Sequence, residues 1–305
     1  MISIIVPAYN EEKSIPIFFE ETEKIRHQMT EQFEYIFVND GSKDKILSVL
    51  KALYHANDNV HYIDFSRNFG KEAALLAGLS QAKGDFVAVM DADLQDPPEM
   101  LIEMHKLLTS GEYDVVGTRR VSRDGEPPIR SLFARLFYVM INKISSTEMV
   151  DGARDFRLMT RQVVASILEL KEYNRFSKGI FSWVGYKTKY LEYQNRQRVA
   201  GETSWSFWSL LKYSIEGIIN FSNVPLQLAT YAGILSSLTA IISIVIIVIR
   251  TFLFGDAVSG WPSLVSIILL IGGIQLFSLG IIGQYIGKIY LETKKRPIYI
   301  IKEQK

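Results

Sequence analysis

The sequence predicts an α/β protein with a mostly parallel sheet, followed by two apolar helices long enough to cross a membrane. Three observations carry that reading. Short apolar strands alternate with helical stretches from residue 3 to about residue 119. Each strand runs into polar, ligand-capable residues, and two uncharged runs, 228–249 and 264–286, come late in the chain. Strand–helix units repeated at this spacing argue for parallel strands with helices on both faces.

The elements follow in order. Residues 3–7 (SIIVP) are a short strand, and 12–29 a helix with Ile15, Phe18, Phe19, Thr22 and Ile25 on one face. Residues 35–38 form a second strand ending in NDGS; 60–65 a third ending in SRNFGK, with a helix from about 72. Residues 86–90 lead into DADLQDPP, and 114–117 close the series before TRR. The strand ends gather Tyr9, Asn10, Glu11, Asp40, Ser42, Lys71, Asp91 and Asp93 at one edge, where open α/β sheets bind ligands.

The stretch 86–98 is the centre of the pattern, a buried-strand signal that meets Asp91, Asp93 and Asp96. On extended backbone Asp91 and Asp93 face one way, with Gln95 next in the series. Such hard oxygen ligands suit Mg²⁺ or Mn²⁺ shared with a substrate diphosphate. The bland alternative is a strand ending in an acidic turn.

Composition excludes several classes. A net charge of +1 over 305 residues argues against a nucleic-acid binder working by bulk charge. There is no cysteine, hence no disulfide framework or thiolate metal site, and four scattered histidines make no zinc spacing. A nicotinamide-binding domain would carry G-x-G-x-x-G after its first strand, where this chain has PAYNEE. The start, MISIIVPAYNEE, lacks a basic region and signal-peptide core, so the N-terminal part is expected in the cytoplasm.

Beyond residue 129 the character changes. Segments 129–144 and 204–221 place Phe133, Phe137 and Met140, then Trp205, Trp208 and Leu211, at helical spacing opposite polar residues. Each reads as an interfacial amphipathic helix, the alternative being a helix packed on the sheet. The runs 228–249 and 264–286 have the length of membrane spans. Their connecting loop, 251–263, has no Lys or Arg, whereas Lys288, Lys294, Lys295, Arg296, Lys302 and Lys305 lie at or after the end of the second run. The positive-inside rule then predicts a hairpin with both ends cytoplasmic. The expected division is a globular domain at 1–227, a transmembrane hairpin at 228–288 and a basic cytoplasmic tail at 289–305.

PAYNEE (7–12), NDGS (39–42), RNFGKEAAL (67–75), DADLQDPPE (91–99), GTRR (117–120), ARDFRLM (153–159) and AGETSW (200–205) together resemble one known group. It is the family 2 glycosyltransferases of the GT-A fold, in their polyprenyl-phosphate branch. The resemblance covers essentially the whole chain and makes 1–227 a GT-A, Rossmann-like catalytic domain. It implies that Pro7, Ala8, Tyr9, Glu11 and Asp40 hold the uridine of a UDP-sugar, with Lys71 and Asp91 beside it. Asp91, Asp93 and Gln95 would hold Mg²⁺ or Mn²⁺; Arg119, Arg130 and Arg198 would receive the acceptor phosphate. The implied catalytic set is Asp155, Asp93 and Arg130. Many relatives have a small residue before the acid of the DFRLM block, where this chain has Arg154, so the charge around Asp155 is left open.

The implied reaction is inverting transfer of a sugar, glucose being favoured, from a UDP-sugar to undecaprenyl phosphate, giving a lipid-linked monosaccharide for cell-envelope glycosylation. Donors left open are UDP-N-acetylglucosamine and GDP-mannose. A processive synthase would carry Q-x-x-R-W and more spans. A non-catalytic membrane scaffold would have no need of intact Asp91, Asp93 and Asp155. The expected place is the inner (plasma) membrane, multi-pass, with homo-oligomerisation suggested by resemblance alone.

Chemistry supports the assignment of roles. A phosphate monoester, with second pKa about 6, is largely dianionic at neutral pH and has no proton to lose before attack. Asp155 is therefore expected to orient a sugar hydroxyl or an arginine rather than take a proton. Two anionic substrates must meet, and guanidinium forks offset their repulsion.

Overall fold

The computed structural model describes residues 1–120, 142–143, 150–194, 215, 218–220, 222, 224–254 and 260–305. The expected amphipathic segments, 129–144 and 204–221, fall almost wholly outside these, as do Arg130 and Arg198. The chain runs β1 (Ile2–Ala8), α1 (Ser14–Arg26), β2 (Phe33–Asn39), α2 (Ile46–Ala56), β3 (Val60–Phe65), α3 (Lys71–Gln81), β4 (Phe86–Val89) and α4 (Met100–Thr109). It continues with β5 (Val115–Arg120), β6 (Ala153–Thr160), α5 (Arg161–Glu169), α6 (Ser177–Trp183), β7 (Thr188–Tyr193), α7 (Val224–Phe254), α8 (Trp261–Thr293) and β8 (Ile301–Gln304).

One sheet joins all the strands in the order β7-β5-β6-β4-β1-β2-β3-β8. Its centre is parallel: β1 lies between β2 and β4, and β2 pairs with β3. These strands are buried on both faces, which is why they read as unbroken apolar runs. Successive residues of β1 enter opposite layers. Ile4 and Val6 meet Phe18, Phe37 and Leu101 on the face covered by α1, α2 and α4. Ile5 meets Leu75, Ala77, Val163 and Ile180 on the face covered by α3, α5 and α6. Each of the larger side chains among these contributes about 1.5–3 kcal/mol on burial.

Two strands depart from the parallel pattern. β6 is antiparallel to both β4 and β5, and β8 is antiparallel to β3. Part of the expected basic tail is therefore an edge strand. Ile301 packs into the second layer, while Glu303 pairs with Lys51 at 2.7 Å and accepts from Tyr62 Oη at 2.6 Å. Charged residues along it blunt the sheet edge.

α7 and α8 are 31 and 33 residues long, each extending past the uncharged run that predicts it. They pack against one another, and both are long and apolar enough to cross a membrane by length and composition. Their large side chains are exposed along the length, Leu235 and Leu270 among them, so no protein core accounts for their apolarity.

Candidate active site

Four parallel strands bring their carboxyl ends to one edge, and β6, running the other way, brings its amino end there. The β4–β6 register sets Val89 opposite Arg157, and continued two residues it sets Asp91 opposite Asp155. Lys71, the first residue of α3, closes the gap. Its Nζ lies 2.6 Å from Asp91 Oδ1 and 2.6 Å from Asp155 Oδ2. Burial would raise the Asp155 carboxyl, but Lys71 first, then Lys178, hold it well below the usual carboxylate range. The same two acids outweigh burial at Lys71 and keep its ammonium charged.

The loop carrying Lys71 is fixed from β2. Asp40 accepts N–H bonds from Phe69 at 2.6 Å and Gly70 at 2.9 Å. Burial pushes Asp40 up, and those two donors pull it back. Next to it Gly41 has φ +61°, and a Cβ there would lie 2.2 Å from the Arg67 carbonyl carbon. The two loops touch backbone to backbone, so only glycine fits. The first loop is tied in as well: Asn10 Oδ1 accepts from Lys43 N at 2.9 Å, and Asn10 N donates to Ser42 Oγ at 2.9 Å. Pro7 and Ala8 end β1, Tyr9 stays 40% exposed over this edge, and Glu11 accepts from Ser14 Oγ at 2.6 Å.

After Val89 the backbone turns instead of continuing extended. Leu94 has φ +54°, which costs an L-residue about 1–2 kcal/mol. Its side chain is buried, which offsets that strain. The alternating placement expected for Asp91, Asp93 and Gln95 is thus replaced by a turn in which Asp93 Oδ1 accepts the Gln95 N–H at 3.1 Å. Among the described residues no group of three acids or histidines converges on one point. An ion here would take Asp91 and Asp93 and complete its shell with substrate oxygens and water, the habit of Mg²⁺, so the donor set fits such an ion.

Arg154 answers the question left open about charge. It turns away from Asp155 along the strand, as neighbours on a strand do. Its Nε donates to Asp96 Oδ1 and to Tyr193 Oη at 3.2 Å each, and its Nη2 donates to Gln95 Oε1 at 3.2 Å. Tyr193 also donates to Asp96. Burial pushes Asp96 up, with Arg154 opposing. Arg157 lies over the Phe181 ring and donates to the backbone carbonyls of Arg154 and Asp155, stiffening this end of β6.

The sequence-based site residues therefore divide. Lys71, Asp91 and Asp155 meet in one cluster; Asp93 and Gln95 follow on the adjoining turn; Asp40 anchors the loop that presents Lys71. Arg119 lies on β5 opposite Ala153, half exposed, with Glu192 4.0 Å away. Sequence reasoning missed Glu72, Tyr193 and Arg157, and named Asp96 without its pairing to Arg154 and Tyr193. A charged residue inside the apolar DFRLM block was the available signal for Arg157.

A mostly parallel sheet with acids gathered at its carboxyl edge is the arrangement of a GT-A-like glycosyltransferase. The mannosyltransferase PcManGT from Pyrobaculum calidifontis shares the fold, with TM-score 0.51 at 17% identity over 72% of this chain and 63% of that one. The chain belongs to glycosyl transferase family 2, whose sequence profile matches residues 3–168. It is 45% identical to the putative glycosyltransferase CsbB of Bacillus subtilis (strain 168), over 99% of this chain and 92% of that one. It is 43% identical to the prophage bactoprenol glucosyl transferase homolog of Escherichia coli (strain K12), over 100% and 99%. Against the bactoprenol glucosyl transferase of Shigella phage SfV the identity is 42%, again over 100% and 99%.

Proposed function

We propose that this glycosyltransferase moves a sugar, glucose in our reading, from a UDP-sugar to the phosphate of a polyprenyl lipid, with inversion. The observation that carries the reading is the meeting of β4 and β6, where Asp91 and Asp155 share the Lys71 ammonium. One carboxylate leads into the acidic turn suited to a diphosphate-bound ion; the other stands at the start of the facing strand. Full-length similarity to proteins named bactoprenol glucosyl transferases, apolar helices included, supports the acceptor and the sugar.

Asp91 and Asp93 are the residues assigned to Mg²⁺ or Mn²⁺, with Gln95 beside them accepting from Arg154; such an ion would neutralise charge growing on the departing nucleotide. Pro7, Ala8, Tyr9 and Glu11 line the way to the uridine, and Asp40 keeps the loop beside it in place. The acceptor dianion needs no base, so Asp155, held ionised, orients a sugar hydroxyl and positions Lys71. Arg119, Arg130 and Arg198 are assigned to the acceptor phosphate. In this reading α7 and α8 cross the membrane as a hairpin, with domain and both ends cytoplasmic. Return of the chain from α8 to pair β8 with β3 supports both helix ends lying on the domain's side.

The test offers the purified full chain labelled UDP-glucose, UDP-N-acetylglucosamine or GDP-mannose with undecaprenyl phosphate and Mg²⁺ or Mn²⁺. Labelled lipid from UDP-glucose, abolished by chelation and by Asp93→Asn, is expected. Label from another donor alone would overturn the sugar assignment, and label surviving chelation would overturn the ion.

A further inference from the structure

Three cationic side chains outside the reaction cluster line one cavity. It measures about 430 Å³ and lies between the loop after β3, the loop joining α5 to α6, and Lys288 of α8. Arg175 is only 9% exposed and spends one N–H on the Leu170 carbonyl. Arg67 donates to the Asn68 carbonyl and lies over the Phe69 ring. Lys288 donates to Asn174 Oδ1 at 3.2 Å. Among the described residues, none of these three hydrogen bonds goes to a carboxylate.

The nearby acids are spent elsewhere. Glu72, in the cavity wall, accepts from both the N–H and the hydroxyl of Ser177 at the start of α6. Glu292 accepts from Tyr173 N at 2.9 Å and from Asn174 N and Nδ2 at 3.1 Å each. Glu172 and Glu72 reach Arg175 only as longer-range charges, and burial pushes its guanidinium down. The wall thus carries three positive groups against one negative. Arg175, the buried one of the three, has a neutral carbonyl for its partner, and a phosphate would supply a counter-charge to a fork and an ammonium together.

We propose that this cavity is a phosphate site separate from the acceptor site, and that it takes the headgroup phosphate of an anionic membrane lipid. Lys288 comes two residues after the uncharged run 264–286, about 3 Å along a helix, which is headgroup depth. Anionic lipid is drawn to basic residues at that depth. The lipid source rests on reading α7 and α8 as a bilayer hairpin; the phosphate chemistry does not.

The experiment follows melting of the full chain in detergent with rising inorganic phosphate, then in phosphatidylcholine nanodiscs alone, with phosphatidylglycerol, or with undecaprenyl phosphate. Stabilisation by ligand grows as the logarithm of its concentration over Kd. Both phosphate and phosphatidylglycerol are expected to raise the melting temperature by a few degrees, the lipid at lower concentration. Arg67→Gln and Lys288→Gln, on less buried residues, should melt as the parent does without ligand and lose most of the rise. Arg175→Gln should lose it too, with refolding checked by circular dichroism. No rise with either probe overturns the site. A rise with phosphate but not with phosphatidylglycerol overturns the lipid source. A rise with undecaprenyl phosphate alone makes the cavity the acceptor pocket and overturns its separateness. The readout needs no sugar transfer, so an inactive chain that still responds sinks the proposed function and leaves this site standing.

Discussion

Lys71 Nζ stands 2.6 Å from Asp155 Oδ2 while holding Asp91 at the same distance, so one ammonium serves two strands that run in opposite directions. A divalent ion arriving at Asp91 has to compete with that ammonium. Lys71→Gln should therefore bind Mn²⁺ on the order of tenfold more tightly in the absence of nucleotide, since a screened charge pair is removed. Sugar transfer should meanwhile fall by about 10²-fold, because the groups at the reacting centre lose their alignment. Calorimetry with Mn²⁺ and initial rates read the two effects separately. Weaker Mn²⁺ binding in the variant would mean that Lys71 helps to build the ion site instead of competing for it.

The depressed Asp155 carboxyl has a consequence for acid stability. Its folded pKa lies below the ordinary 3.8, so its contribution is complete above that value and is lost as pH falls toward the folded one. Denaturant midpoints of the wild type and Asp155→Asn should differ most above about pH 5, and the difference should shrink steadily as pH falls below the ordinary 3.8 toward the folded value. A constant difference across that range would show that Lys71 does not set the Asp155 titration.

Breaking the Arg154–Asp96 pair should leave a buried carboxylate without its counter-charge. Arg154→Gln is expected to cost on the order of 3 kcal/mol. Adding Asp96→Asn should return much of that, because the orphaned charge goes with it. A double-mutant cycle by urea unfolding checks this. If the double variant were as unstable as the sum of the singles, the two side chains would act independently despite their 3.2 Å contact.

Gly41→Ala tests the contact between the loops after β2 and β3. Its φ of +61° and a Cβ 2.2 Å from the Arg67 backbone leave the alanine nowhere to go. The left-handed conformation alone costs about 1–2 kcal/mol. Separation of the loops would also loosen the N–H bonds from Phe69 and Gly70 to Asp40. A lower melting temperature with a raised KM for the nucleotide sugar is expected, with less effect on the KM for the lipid. An unchanged donor KM would dissociate this contact from the donor side.

The parallel centre of the sheet was legible because strands buried on both faces must be apolar throughout, as 35–38 and 86–90 are. The edge holding Lys71 and Asp91 was legible for the same reason, since parallel strands end together. Antiparallel β6 was hidden. Its residues, ARDFRLMT, fix neither direction nor partner, and what sets both is the fit between β4 and β5. The turn at Leu94 was hidden as well, because a leucine gives no sign of a left-handed backbone. The partner of Arg154 lay 58 residues away, at Asp96, and only the register of β6 brings them together. Glu72 reads as an ordinary first-turn helix acid until the start of α6 arrives on top of it.

Glu292, near the end of α8, takes its hydrogen bonds from the backbone of Tyr173 and from Asn174, and so ties a membrane-length helix to the loop between α5 and α6. That loop leads to Ser177, which bonds Glu72, the residue following Lys71. Loss of the tie should loosen the catalytic domain from its helices without opening the core. Glu292→Ala is expected to keep the melting transition of the sheet and to raise hydrogen exchange at 170–176 by more than tenfold, about 1.4 kcal/mol of local stability. Transfer to a long polyprenyl phosphate in bilayers should fall several-fold. Transfer to a short, water-soluble isoprenyl phosphate should hold, because that acceptor does not depend on how the domain sits over the membrane. Equal losses with both acceptors would place the effect of Glu292 on the reaction centre through Glu72, and not on the docking of domain to helix.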